Sequence, residues 1–222
     1  MKKVIYCLFD GSGIAGLPWA EDGHTVYCFN ADSGNHGEYH IKMKHENIHY
    51  VNMWIDKDFI TKCELLGLPP AQMVIGFPDC TLFSQSGSQH ERSEDELAYA
   101  LANAKLVEEV GNHFNAPWMV ENPVGKLSTL WRKPDFYFHP CDYGGYIDHD
   151  EVYHPRMPTR NAYNKKTCIW CGNGFVEPIK KPVESIGFFW AWKYCGGKSA
   201  KTKVLRSLTP EGFARALYES NK

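Results

Sequence analysis

VIYCLFDGSGIAG, residues 4–16, runs apolar, meets an acid and opens onto glycine. Val4–Phe9 predicts a strand, and Asp10-Gly11-Ser12-Gly13 breaks it. Ile14–Glu21 predicts the start of a helix, with Pro18 limiting where it begins. Glycines after a strand and before a helix let the backbone turn tightly and come close to a ligand. Outward from this stretch, Thr25–Phe29 predicts a second strand that ends at Asn30-Ala31-Asp32. Asp32 lies about 20 residues past the first glycines, where a carboxylate can accept hydrogen bonds from a ribose diol. Glycine loop and Asp32 together favour an adenosyl-type ligand over a plain strand–turn–helix.

The same reading continues along the chain. Tyr50–Ile55 predicts a short third strand and Met73–Phe77 the next. Ser93–Val110 predicts a helix: Ser93 and Glu96 form a capping box, Leu97, Leu101, Ala104 and Val107 supply an apolar stripe, and Gly111 ends it. Trp118–Val120 predicts another strand, and Thr209-Pro210 opens a last helix through about Tyr218. Strands alternating with helices imply a parallel, doubly wound sheet. Residues 132–205 show little periodicity, and Val176–Glu184 reads as a connector. The expected organisation is an α/β, Rossmann-like body of residues 1–131 plus 204–222. A small, irregular, basic insertion, 132–203, would serve substrate recognition.

Length and composition bound the alternatives. With 222 residues, 43% hydrophobic and 23% charged, the chain suits one soluble globular domain with a full core. No apolar run approaches the roughly 18 residues of a membrane span. Met1-Lys2-Lys3 with VIYCLF mimics a signal peptide, but the apolar stretch is too short and runs into the glycine loop. A cytoplasmic protein is expected, and the eight cysteines are then thiols, ligands or a nucleophile. The net charge of −2 hides an asymmetry: residues 1–152 carry 11 Lys and Arg against 22 Asp and Glu, whereas residues 153–222 carry 13 against 4. A basic C-terminal third fits one surface that meets a polyanion, or else a solvated basic face.

MVIGFPDCTLFSQSG, residues 73–87, places Cys80 just beyond a strand and behind Pro78. An unperturbed thiol has a pKa near 8.5, so a nucleophilic cysteine needs a partly exposed position with donors nearby. Ser84 and Ser86 offer hydroxyls. The blander alternative is a small apolar filler. Glu121-Asn122-Pro123 follows directly on the apolar Trp118-Met119-Val120. That sets a carboxylate at the end of a buried strand, on the edge expected to carry Cys80. Desolvation there raises a carboxyl pKa and makes a proton donor. Asn122 can hold the loop or bond a substrate.

Taken in order, these pieces resemble the cytosine-5 DNA methyltransferase family, and most of all its compact phage-type members. LFDGSG looks like the family's first motif, GFPDCTLFSQSG like its Gly-Phe-Pro-Cys-Gln-x-Phe-Ser loop, and Glu121-Asn122-Pro123 like its Glu-Asn-Val motif. Residues 206–216 look like its late Arg-x-Leu-Thr motif. The resemblance covers residues 4–123 and 204–217. It implies that S-adenosylmethionine is held by Phe9, Asp10, Gly11, Gly13, Phe77 and Pro78, with Asp32 on the ribose and Asp56 on the adenine amine. Cys80 would then be the nucleophile, with Glu121 and Asn122 beside it. Ser84 and Arg206 would face the substrate. Asp79 separates Pro78 from Cys80, where the family joins them, and an acid beside a thiol raises its pKa. Thr81 replaces Gln, and Ile14 replaces a second Gly. Lys165-Lys166-Thr167-Cys168 stands where the family has Gln-x-Arg-x-Arg, with charge but without arginine's bidentate fork.

The implied reaction is methyl transfer to carbon 5 of cytosine through a covalent cysteine adduct. The substrate is DNA, with low or short sequence specificity, and the protein a monomer, in the bacterial host cytoplasm if phage-encoded. Lys198, Lys201 and Lys203, with Trp190 and Trp192 close before them, are candidates for phosphate contacts. Gly196-Gly197-Lys198-Ser199 is not a P-loop, because position 192 is tryptophan. Two other readings stand beside this one: methylation of a free cytosine nucleotide, and a catalytically inactive nucleic-acid-binding module. No metal is expected. His139, Cys141, Cys168 and Cys171 are the one zinc candidate, with a single Cys-x-x-Cys and an unfamiliar spacing between pairs.

Overall fold

The computed structural model describes residues 1–31, 39–83, 93–195 and 199–222. Asp32, Ser84 and Lys198 lie outside the described residues.

Seven strands form one sheet: β1 (Val4–Leu8), β2 (Thr25–Asn30), β3 (Ile48–Asn52), β4 (Met73–Gly76), β5 (Trp118–Pro123), β6 (Phe136–Phe138) and β7 (Thr167–Gly172). Their order is β3-β2-β1-β4-β5-β7-β6. Neighbours from β3 to β5 pair in parallel, and β7 runs antiparallel to both β5 and β6. This is a Rossmann-like, mostly parallel α/β sheet, as the glycine loop after β1 implies. The order reverses between β1 and β4, so the loops after these two strands face one crevice at the carboxyl edge, where such sheets take ligands.

Alternation along the strands builds a core on each face. Tyr6, Leu8, Val74, Trp118, Val120 and Trp170 pack on one side with α2 (Phe59–Leu65), α3 (Glu94–His113) and Leu127 of the short α4 (Leu127–Leu130). Ile5, Cys7, Met73, Ile75, Met119 and Ile169 pack on the other with α1 (Leu17–Glu21) and α7 (Glu211–Asn221). The Ser93–Glu96 capping box forms as read, supporting the start of α3 by about 1 kcal/mol. Gly111, however, does not stop α3. A Cβ there would press on the Trp118 ring, so this glycine lets the helix lie close on β5. The third strand begins at Ile48, two residues before the expected start, because it follows the register of β2. Pro210 caps α7, which begins at Glu211.

The block 132–203 is less separate than expected. It supplies β6 and β7 to the main sheet, with Phe138 stacked on Phe213 of α7 at 4.1 Å. Backbone pairing, not periodicity, makes these short strands: β7 pairs on both sides and β6 on one. The rest of the block carries α5 (Trp190–Tyr194) and the start of α6 (Ala200–Ser207). Met157, Tyr163 and Trp190 form a third cluster with Ile14, Leu205 and Ala214, which docks the block beside the glycine loop. Among the described residues, no helix is long and apolar enough to cross a membrane.

Candidate active site

The glycine loop is organised by Asp10. One carboxylate oxygen, Oδ1, accepts from the Ser12 amide (2.8 Å), the Ser12 hydroxyl (2.9 Å) and the Gly13 amide (2.8 Å). The other, Oδ2, is buried without a hydrogen-bond partner, and burial raises this carboxyl's pKa. Phe9 adopts a left-handed φ of 59°, an unusual choice for a phenylalanine that turns the chain at the end of β1. Tyr50 buttresses the loop by donating to the carbonyls of Ser12 (3.0 Å) and Met43 (2.9 Å). The Tyr39 ring lies so close to Gly11 that a Cβ there would collide with it. Beside Gly11 a cavity of about 10 Å³ is lined by Cys28, Asn30, Tyr50, Val51 and Asn52. That is the room of one water molecule.

The second loop leaves β4 alongside the first, with the Phe77 amide donating to the Leu8 carbonyl at 3.0 Å. Asn122, 0% exposed, donates from Nδ2 to the Pro78 carbonyl at 3.0 Å. A buried amide on β5 thus ties down the turn that presents Cys80. The Asp79 carboxylate folds back to accept from the Thr81 amide (2.8 Å) and the Thr81 hydroxyl (2.5 Å). Cys80 is partly exposed, and its thiol is pushed up to about 11. Burial is the main cause, Asp79 and Glu121 add to it, and Lys165 opposes them. The acid between Pro78 and Cys80 therefore does raise the thiol, although it is turned toward Thr81.

Glu121 precedes Asn122 on β5 and so points to the opposite face. Burial raises its carboxyl pKa and Lys165 lowers it. Lys165, just before β7, influences both Cys80 and Glu121. Its ammonium donates to the Arg206 carbonyl at 3.1 Å and lies 5.6 Å over the Phe189 ring. A thiol, a carboxyl and an ammonium are thus near enough to act on one another electrostatically.

Other expected site residues lie elsewhere. Asp56 pairs with Lys62 at 2.6 Å, which holds its carboxyl below the usual range, and it does not line the small cavity. Lys166 sits 4.6 Å over the Tyr137 ring on outer strand β6, away from Lys165's partners. Lys201 is exposed and Lys203 partly exposed on α6. The zinc set does not assemble. Cys168 packs on the α3 face and Cys171 on the α7 face, because three residues along a strand reverse the side. Cys141 bonds Asn164 instead, 3.4 Å from its Oδ1. Among the described residues, the one cluster with metal-ligand proximity is Cys7, Asp10 and Cys28. Its visible signal was the facing of β1 and β2, which sets Cys7 opposite Cys28. Tyr39 had no local signal, because its position depends on long-range folding.

No protein-family model matches the chain, and no curated protein sequence does. Among solved structures it is similar to a candidate DNA modification methyltransferase encoded within a prophage (E. coli). Identity there is 15% and the TM-score 0.46, covering 82% of this chain and 53% of that one. It is also similar to the SAM-dependent methyltransferase from Agrobacterium tumefaciens, at 18% identity and TM-score 0.36, covering 55% and 39%. A third similarity is to the Bordetella bronchiseptica enzyme WbmH in complex with NAD+, at 15% and 0.36, covering 52% and 37%. The chain spans about half the length or less of these structures.

The residues at the crevice suit an adenosyl cofactor in kind. A glycine backbone, Asn30 and Asn52 line the small cavity, and the Asp10 carboxylate beside it keeps one buried oxygen unpartnered.

Proposed function

We propose that this protein transfers a methyl group from S-adenosylmethionine to carbon 5 of cytosine in DNA. The observation that carries the proposal is the joint placement of Cys80, Glu121 and Lys165, with Asn122 tethering the Cys80 loop. Bound S-adenosylmethionine would supply an electrophilic methyl on a sulfonium, held by the loops of Phe9–Gly13 and Phe77–Pro78. Asp32, on the segment after β2, is assigned to its ribose. Asp56 is engaged by Lys62, so the adenine amine falls more naturally to the residues lining the small cavity.

The chemistry follows from the protonation states. Cys80, once deprotonated, adds to carbon 6 of cytosine, and the charge this creates gathers at N3. Glu121 meets it there with a proton, because burial keeps this carboxyl protonated to higher pH than usual. Carbon 5 becomes enamine-like and takes the methyl. A base such as water then takes the proton on carbon 5, the electrons left behind expel the thiolate, and N3 returns its proton to Glu121. Lys165 assists by favouring the thiolate, against burial and Asp79. In duplex DNA the base must leave the stack, at a cost of a few kcal/mol. Sequence specificity is low or short, and Arg206, Lys201 and Lys203 contact the phosphates.

The test is trapping with 5-fluorocytosine, whose fluorine blocks the last elimination. Intact mass should show an adduct on DNA that needs S-adenosylmethionine and disappears in Cys80→Ser. An adduct with the free deoxynucleotide alone would move the substrate to nucleotides. One observation favours a second reading, a non-catalytic module: the strongly raised thiol of Cys80. Cofactor binding without any adduct would replace the enzyme with that module.

A further inference from the structure

Helix α5 turns two kinds of residue in opposite directions. Trp190 and Ala191 are buried, whereas Trp192 is 64% and Tyr194 40% exposed, with Lys193 exposed between them. An exposed tryptophan is costly surface on a monomer unless something covers it. Here the Tyr194 ring is flanked by cations. Arg156 lies 5.3 Å from the Tyr194 ring centre and Lys193 5.7 Å. Lys193 also lies 4.4 Å over Phe188, which meets Tyr194 edge-on at 6.0 Å. Both flanks of α5 are tied to the candidate active site. Phe189, just before it, lies under the Lys165 ammonium, and Cys195, just after it, accepts from Arg206 Nη2 at 2.8 Å. The patch belongs to residues 153–222, where 13 Lys and Arg face 4 Asp and Glu.

Exposed aromatic faces interleaved with cations are complementary to unpaired nucleotides, whose bases offer π-faces and whose phosphates offer charge. Duplex DNA hides its base faces, so it would engage the cations and leave the rings bare. We propose that Trp192 and Tyr194, flanked by Lys193 and Arg156, form a stacking platform for unpaired bases next to the target cytosine, so that the preferred substrate is single-stranded DNA. This rests on the reading of the site as one that takes cytosine in DNA.

The probe is a labelled oligothymidylate of about 12 nucleotides, which contains no cytosine, titrated against the full chain at fixed salt. Trp192→Ala and Tyr194→Ala should each weaken binding about tenfold, and Trp192→Phe, which keeps a ring, should restore most of it. A duplex of equal length should bind more weakly and lose little in either alanine variant. Unchanged oligothymidylate binding in both alanine variants would overturn the platform, as would equal losses on duplex and single strand. A changed sedimentation coefficient in Trp192→Ala with unchanged binding would overturn it in favour of self-association. The 5-fluorocytosine adduct is read separately. Adduct formation with unaffected aromatic variants refutes the platform alone, whereas variant-sensitive oligothymidylate binding without an adduct refutes the reaction alone.

Discussion

Replacing Asp79 with asparagine should make Cys80 more reactive. In the folded protein the thiol stands near 11, against a reference of 9.0. That difference corresponds to about 3 kcal/mol against the thiolate and about a hundredfold less of it at neutral pH. Burial is the larger cause and Asp79 the next. Removing the negative charge should therefore recover part of the loss, a severalfold gain in thiolate and at most about tenfold. Asparagine keeps a side-chain oxygen for the Thr81 amide, so the turn should survive. The assay is alkylation by iodoacetamide from about pH 7 to about pH 10, with the Cys80 peptide followed by mass spectrometry among the eight cysteines. Asp79→Asn should alkylate faster, and Lys165→Met, which removes the opposing charge, more slowly. A wild-type Cys80 that titrates like a free thiol, or an Asp79→Asn protein with wild-type rates, would refute the electrostatic account of this loop.

Asn122→Ala should cost about 1–3 kcal/mol by leaving the Pro78 carbonyl unpaired. A melting temperature lower by several degrees and slower adduct formation would report it. Glu121→Gln should be more stable than wild type at neutral pH and lose adduct formation. The sign follows from the raised carboxyl: wild-type stability is fully present below the unfolded pKa and is lost as pH rises through the folded one. The stability difference between the two proteins should therefore shrink in acid, as thermal melts against pH would show. Tyr39→Ala removes a ring only 8% exposed and should lower the melting temperature.

Much of the sheet was legible because its first strands carry local signals. Val4–Phe9 with its glycine stop, and Met73–Phe77 with Pro78, each declare a buried strand and its end. Glu121 and Asn122 could be singled out because charge and amide follow directly on an apolar run. Their division of labour could not, since opposite facing matters only once the neighbours of β5 are known. Thr167–Gly172 looked irregular because β7 is buried on both faces and shows no alternation. Gly111 reads as a stop because a stop glycine and a close-contact glycine look alike until Trp118 is placed against it. The packing of Tyr39 on Gly11 is hidden for a related reason: Tyr39 arrives from a segment without periodicity.

The antiparallel seat of β7 has a consequence for how the chain is made. β6 reaches the sheet only through β7, and one edge of β5 pairs only with β7. During synthesis, the strand bearing Glu121 and Asn122 therefore emerges long before its partner, Thr167–Gly172. Until then it presents an open edge, the kind of surface on which nascent chains stick to one another. The acid, the amide and Lys165 come together late in translation, so a chain released before residue 172 would have its glycine loop but not the Glu121–Lys165 neighbourhood of Cys80.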